Sequence, residues 1–546
     1  MPTIKIKDST HKILDEIFQN PEETIAAALK RNGYSNAYPC GGKGICGKCR
    51  YHVAEGETVL SAEEENLLSK EELAGGVRLL CRSTFAGDGA IYLPEQEAKI
   101  ESVGTVGRNG GWRIGVEART AKRAEKILHG EVKQVEKIPT ETAEQAEFDV
   151  AADIGTTTVA IALVSRQNGK VLAERTFNNS QREYGADVLS RIEAANAGHL
   201  EELQRFIWRD ILQGIEGMRQ DLGRNGNISR LVVSANTTME HLFAGDSCEA
   251  LGKAPFTPVS LELRKKHCRD IFPEAPKRYA EMEVIILPGI SAFVGADIVS
   301  GMYELGMNES RKPVLLLDLG TNGEMALGAG EGFLATSTAA GPALEGGNIS
   351  SGVPGVAGAI CSLSMMGRRT LVHTIRNQSP IGLCGTGVLE LAYEMRKMGI
   401  ADEKGVFSEA YREMGFPVAQ DENGQSILFT QQDMRQLQMA KAAIRSGMEL
   451  LIKEAGLKAS DIEKVYLAGG LGYKLNVYKA AGIGLIPPAL KEKSVAVGNS
   501  SLSGALRYLK ETDAAEKLEE LRSKTKEMNL AAHPEFETNY YKNMNF

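Results

Sequence analysis

The chain has 546 residues, 42% apolar and 25% charged, with a net charge of −8. That length exceeds what one hydrophobic core supports and implies roughly two to four domains. The acidic balance argues against a nucleic-acid binder, no run of about 18 apolar residues is present to span a membrane, and the polar stretch from Met1 to Lys12 does not read as a signal peptide.

Residues 1–96 read as one small unit. Alternation in Thr3-Ile4-Lys5-Ile6-Lys7 predicts a strand, and Pro21 to Lys30 an amphipathic helix. A glycine-dense loop follows, then a strand at Arg50 to Val53, an acidic helix from Ala62 to Leu73 and a strand pair ending at Pro94. Of the eight cysteines, four fall in this unit: Cys40 and Cys46 have five residues between them, Cys46 and Cys49 have two, and 31 residues separate Cys49 from Cys81. Clustered thiols without an export signal point to metal ligation and a cytoplasmic protein. Four thiolates around two irons need a backbone that wraps closely over inorganic sulfide, and Gly41, Gly42, Gly44 and Gly47 permit it. A Cys-x-x-Cys pair also serves thioredoxin-type redox pairs and zinc knuckles. Zinc ribbons, however, pair two such knuckles, whereas Cys81 stands alone, and the spacing favours an iron–sulfur cluster. The pattern resembles the 2Fe–2S ferredoxins, in the branch with a five-residue first gap. The other four cysteines are scattered and read as core thiols.

Residues 97–146 carry loop-like Arg108-Asn109-Gly110-Gly111 and a basic stretch, and read as a linker. From Phe148 the texture is α/β. Ala151-Ala152-Asp153-Ile154-Gly155-Thr156-Thr157 is echoed 165 residues later by Leu316-Leu317-Asp318-Leu319-Gly320-Thr321-Asn322. Two strand–turn units sharing Asp-apolar-Gly-Thr suggest a duplicated fold, with halves at 147–311 and 312–546. The chemistry suits a triphosphate. Glycine lets the backbone approach phosphate oxygens, backbone N–H groups and threonine hydroxyls donate to them, and Asp153 and Asp318 are placed to hold Mg2+. A third element, Val465-Tyr466-Leu467-Ala468 followed by Gly469-Gly470, offers a flat backbone for adenosine. Glu324 and Asn236 are weaker candidates for ordering the attacking water.

In this order the three elements resemble the actin, sugar-kinase and heat-shock-chaperone ATPases. The resemblance implies a multidomain chain: an α+β β-grasp 2Fe–2S ferredoxin domain joined to an α/β duplicated actin-like ATPase of ribonuclease-H-like fold. Asn178-Asn179-Ser180-Gln181, Ser234-Ala235-Asn236-Thr237-Thr238-Met239, Pro288-Gly289-Ile290-Ser291, Ala340-Gly341-Pro342-Ala343-Leu344-Glu345-Gly346, Leu383-Cys384-Gly385-Thr386-Gly387 and His533-Pro534-Glu535-Phe536 narrow it further. With the ferredoxin fusion, they look like the reductive activators of corrinoid proteins. One departure is a short connector at 97–146, where some relatives carry an extra middle domain. The resemblance implies an ATP-hydrolysing activase that passes one electron from a 2Fe–2S cluster to cob(II)alamin, regenerating cob(I)alamin for methyl transfer. Its partners are a corrinoid protein of a methyltransferase system and an upstream electron donor, and a homodimer is compatible with the reading. Two other readings stay open on sequence grounds: a small-molecule kinase with Asp297 as general base, and a nucleotide-switched redox sensor.

Overall fold

A computed structural model describes residues 2–7, 13–20, 23–31, 44, 47, 49–92, 147–223, 226–366 and 369–546. Cys40, Cys46 and the linker at 97–146 lie outside the described residues.

Period-two alternation puts Ile4 and Ile6 of the Thr3–Lys7 strand into a core with Ile17, Ile25, Leu29, Tyr51, Leu79 and Ile91. The strand sits second in a five-stranded mixed sheet, in the order Ile13–Phe18, Thr3–Lys7, Gly89–Tyr92, Arg50–Glu55, Val77–Leu79. The Ile25–Arg31 helix packs its Ile25, Ala28 and Leu29 onto that core, as in a β-grasp. The acidic stretch expected as one helix is two, Ala62–Leu67 and Lys70–Ala74. Each half starts its own capping box, Ser61 with Glu64 and Ser69 with Glu72. The second box competes with continuation of the first helix and leaves the buried Leu68 extended between them.

The remainder contains two sheets of matching topology. In the first half, Glu147–Ile154, Thr158–Ser165 and Val171–Asn178 form an antiparallel meander. Asn227–Ala235 pairs parallel with the first of these strands, and Glu283–Ile286 lies parallel outside it. In the second half, Val314–Leu319, Gly323–Ala329 and Gly332–Thr338 repeat the meander, with Lys464–Ala468 and Ser494–Gly498 taking the two parallel places. Five strands of each sheet therefore run 3-2-1-4-5, with a sixth at different edges, Arg264–His267 beside strand 5 in the first half and Thr525–Glu527 beside strand 3 in the second, and each Asp-x-Gly-Thr turn joins strands 1 and 2 of its half. An insertion in the second half adds a three-stranded sheet and the helix Gly385–Lys397.

Helices Ala296–Glu304 and Ser500–Tyr508 cross between the sheets. Their apolar sides share one core with Ala151, Val232, Leu316 and Ala326 from both halves. They approach closely: Ser300 Oγ donates to Ser501 O at 2.8 Å, and a Cβ on Gly504 would sit 2.1 Å from Ser300 O. This contact sets how the two halves face each other. Among the described residues no helix is long and apolar enough to cross a membrane.

Candidate active site

The first Asp-x-Gly-Thr turn is held from behind by side chains outside it. Buried Asn179 donates Nδ2 to Gly155 O at 2.9 Å, and its backbone N–H donates to Thr157 O at 3.0 Å. Arg191 is wholly buried and donates to Thr156 O, and burial together with Arg182 pushes its pKa down to about 9. Asn236 caps the Thr237–Ala244 helix, its Oδ1 accepting Met239 N–H at 3.0 Å while its Nδ2 reaches Thr156 Oγ1 at 3.2 Å. Both polar ends of Asn236 are thus engaged within the protein. Asp153, at the end of its strand, accepts Ser501 Oγ and Asn499 Nδ2, each at 2.7 Å. Asn499 also caps the Ser500–Tyr508 helix, so the second half fixes the carboxylate of the first.

On the other side, the register pairs Asp318 directly with Glu324 across the hairpin, and Gly320 N–H closes the turn on Asn322 O at 3.0 Å. The parallel pairing of Asp318 with Ala468 brings Gly469 against the same turn. Gly469 has φ +83°, and a Cβ there would lie 2.5 Å from Asp318 Oδ1 and 2.7 Å from Leu319 O. Only glycine fits. Gly470 is exposed beside it.

Glu345 stands between the turns. Its Oε2 accepts Thr321 Oγ1 at 2.8 Å and Thr157 Oγ1 at 3.2 Å, tying the two halves together. Asp297, second residue of its helix, completes a convergence of carboxyl groups that raise one another's pKa. Burial and then Asp297, Asp153 and Glu345 lift Asp318 to about 8. Burial and then Asp297 and Asp318 hold Glu324 far above the usual range. Burial likewise raises Asp153 and Glu345, in each case partly offset by the hydroxyls and amides that donate to them. Such a set is costly until a cation shares it. Among the described residues no three Cys, His, Asp or Glu side chains stand close enough to ligate one metal directly. Carboxyl groups that raise one another in this way fit a hydrated divalent cation lying between them and phosphate oxygens.

In the ferredoxin module, Cys49 Sγ and Cys81 Sγ lie 3.3 Å apart, both buried and not bridged. The neighbouring Cys49 and then burial drive the Cys81 thiol well above its ordinary range, while the Gly44 N–H donates to it. Two buried thiols crowded this closely, with a backbone donor aimed at one sulfur, suit thiolate ligands of a cluster. Cys248, Cys268 and Cys384 are buried core thiols, whereas Cys361 is half-buried in the three-stranded sheet.

Known proteins match the chain over all three of its parts. The description "2Fe-2S iron-sulfur cluster binding domain" matches residues 13–85, "RACo middle region" matches 148–310, and "C-terminal domain of RACo the ASKHA domain" matches 312–546. Corrinoid activation enzyme RamQ of Eubacterium limosum is 31% identical over 434 residues, covering 75% of this chain and 72% of that protein. The chain belongs to the corrinoid activation enzymes. The [Co(II) methylated amine-specific corrinoid protein] reductase of Methanosarcina barkeri is 27% identical over 428 residues, spanning 72% of this chain and 76% of its own. The solved structure of a reductive activator for a corrinoid,iron-sulfur protein is 26% identical, with TM-score 0.69, covering 100% of this chain and 98% of the other. In this corrinoid activation enzyme the family's middle region coincides with the first ATPase half and not with the connector.

Of the residues the sequence singles out, Asp153, Gly155, Thr156, Thr157, Asn236, Asp318, Gly320, Thr321, Asn322, Glu324 and Gly469 come together at the two turns, with Gly470 exposed beside them. The roles of Glu345, Asn499 and Ser501 become visible in the fold. The last two carried a legible signal, a glycine-terminated strand followed by an Asn helix cap at Gly498-Asn499. Glu345 carried none beyond its place in a glycine-rich loop.

Proposed function

We propose that this corrinoid activation enzyme uses ATP to drive one-electron return of a partner protein's cob(II)alamin to cob(I)alamin, so that the partner can resume methyl transfer. One observation carries the reading. In a chain of this family, two phosphate turns from duplicated halves meet across Glu345, and the same chain holds a buried, unbridged cysteine pair.

The backbone and hydroxyls of Gly155, Thr156, Thr157, Gly320, Thr321 and Asn322 donate to phosphate oxygens from opposite sides. Asp153, held by Ser501 and Asn499, and Asp318 would hold a Mg2+ ion, which would neutralise phosphate charge. Glu324 faces Asp318 and orders the attacking water, while Asn236 acts through Thr156, whose hydroxyl it fixes. Gly469 and Gly470 give adenosine a backbone surface. Cys40, Cys46, Cys49 and Cys81 would hold the 2Fe–2S cluster. When bound, it supplies a one-electron donor whose plant-type relatives sit near roughly −400 mV. Each ~59 mV of adverse potential costs tenfold in a one-electron equilibrium, and closure of the halves on ATP with the partner docked offsets it.

The test mixes the full chain, Mg-ATP, a chemical reductant and an oxidised corrinoid protein, and follows cobalt absorbance. Cob(I)alamin is expected with wild-type protein and ATP, and not without ATP, with Cys81→Ser or with Asp318→Asn. Hydrolysis is slow alone and rises with the partner. Activation at the wild-type rate by a cluster-free Cys81→Ser protein overturns the electron path.

A further inference from the structure

Glu345 sits where the proposed function puts a phosphate. Both hydroxyls assigned to phosphate binding, Thr321 Oγ1 at 2.8 Å and Thr157 Oγ1 at 3.2 Å, already donate to one of its oxygens. They come from opposite halves, and Arg182 of the first half adds an attractive charge, as a phosphate-facing cation would. The turn that carries Glu345, Pro342–Glu345, is tightly seated. A Cβ on Gly385 would fall 1.7 Å from Leu344 O, and Gly346, at φ +80°, leaves no room for a side chain, since a Cβ there would lie 2.3 Å from Val353 O. The carboxylate is held in the cleft by backbone packing as well as by its hydrogen bonds.

We infer that Glu345 is an internal stand-in for phosphate: a positioning residue that aims both threonine hydroxyls into the cleft of the nucleotide-free enzyme and must leave them when ATP binds. The inference rests on the assignment of Thr157 and Thr321 to the phosphates. A hydroxyl has a single proton to donate, so neither threonine serves Glu345 and a phosphate oxygen together. Two anions brought to the same pair of hydroxyls also repel each other in a partly buried cleft. Nucleotide binding therefore breaks both bonds to Glu345 and transfers the tie between halves from carboxylate to phosphate. Free ATP sees an affinity lowered by this competition. A partner contact that turns the Glu345 side chain away from the threonines raises the affinity, which couples docking to nucleotide use.

The experiment measures Mg-ATP binding by titration calorimetry on the full-length protein without partner, for wild type, Glu345→Gln and Glu345→Asp. Glutamine keeps the shape but gives up the charge, and aspartate keeps the charge but falls one methylene short. Both should bind ATP more tightly, Glu345→Gln by about tenfold, because charge-assisted hydrogen bonds no longer compete. Both should also gain more in melting temperature than wild type does on adding Mg-ATP, a pattern that simple loss of packing does not produce. Unchanged or weaker binding in both variants overturns the inference, and weaker binding makes Glu345 a ligand of the nucleotide's magnesium instead. Thr157→Ala and Thr321→Ala separate this from failure of the underlying assignment. If neither weakens ATP binding, the phosphate assignment itself falls. If they weaken it while Glu345→Gln does not strengthen it, only the stand-in falls.

Discussion

Asp318→Asn is expected to stabilise the nucleotide-free protein at alkaline pH while disabling it. Asp318 is half-buried, and its pKa is about 8 against an ordinary 3.8, raised by burial and by Asp297, Asp153 and Glu345. A carboxyl with a raised folded-state pKa binds its proton more tightly folded than unfolded. The stability linked to that proton is complete below pH ~4 and is lost as pH rises toward 8. Between pH 5 and 8 the unfolded chain is already ionised, so each unit costs about 1.4 kcal/mol and three units roughly 4 kcal/mol. That figure is an upper bound, because the neighbouring carboxyls share the proton loss. Asparagine has the same outline and no charge. At pH 8 the variant should exceed wild type by about 2–4 kcal/mol, or roughly 2–5 °C in melting temperature for a unit of about 400 residues, with a smaller gain at pH 5. Calorimetric or dye-monitored melting in chelator from pH 5 to 8 reads this out, and hydrolysis of Mg-ATP by the same variant should fall sharply. Parallel melting-versus-pH curves for the two proteins would refute the electrostatic argument, and wild-type turnover would remove Asp318 from the mechanism.

Other substitutions test the rest of the site. Cys49→Ser and Cys81→Ser should each bleach or destabilise the visible chromophore of anaerobically purified protein while leaving ATP hydrolysis in place, and Cys361→Ser should leave the colour unchanged; zinc in place of iron and sulfide would end the cluster assignment. Gly469→Ala places a Cβ 2.5 Å from Asp318 Oδ1 at a left-handed φ. It should cost about 2–4 kcal/mol through strain and overlap and weaken nucleotide binding, both visible in a melt with and without ATP. Asn236→Ala removes a helix cap and the brace on Thr156, so about 1–2 kcal/mol of stability and part of the ATP affinity should go together; a loss of stability with unchanged affinity would reduce Asn236 to a cap.

What was readable in the chain was local. Each Asp-x-Gly-Thr turn follows its own apolar strand, so the repeat announced the duplicated halves, and cysteine spacing with intervening glycines announced the ferredoxin. The split of the acidic helix was readable too, in Ser69 and Glu72, but it competed with an unbroken helical pattern that favoured a single element. Tertiary structure alone decided which side chains meet at the cleft. Thr157 reaches Glu345 across 188 residues, and Asp153 is held by Asn499 and Ser501 across 346 and 348. No periodicity or short motif encodes such pairings. They follow from two sheets of equal topology packed against a shared pair of helices, and the raised carboxyl pKa values exist only once that packing takes the acids out of water and sets them beside one another.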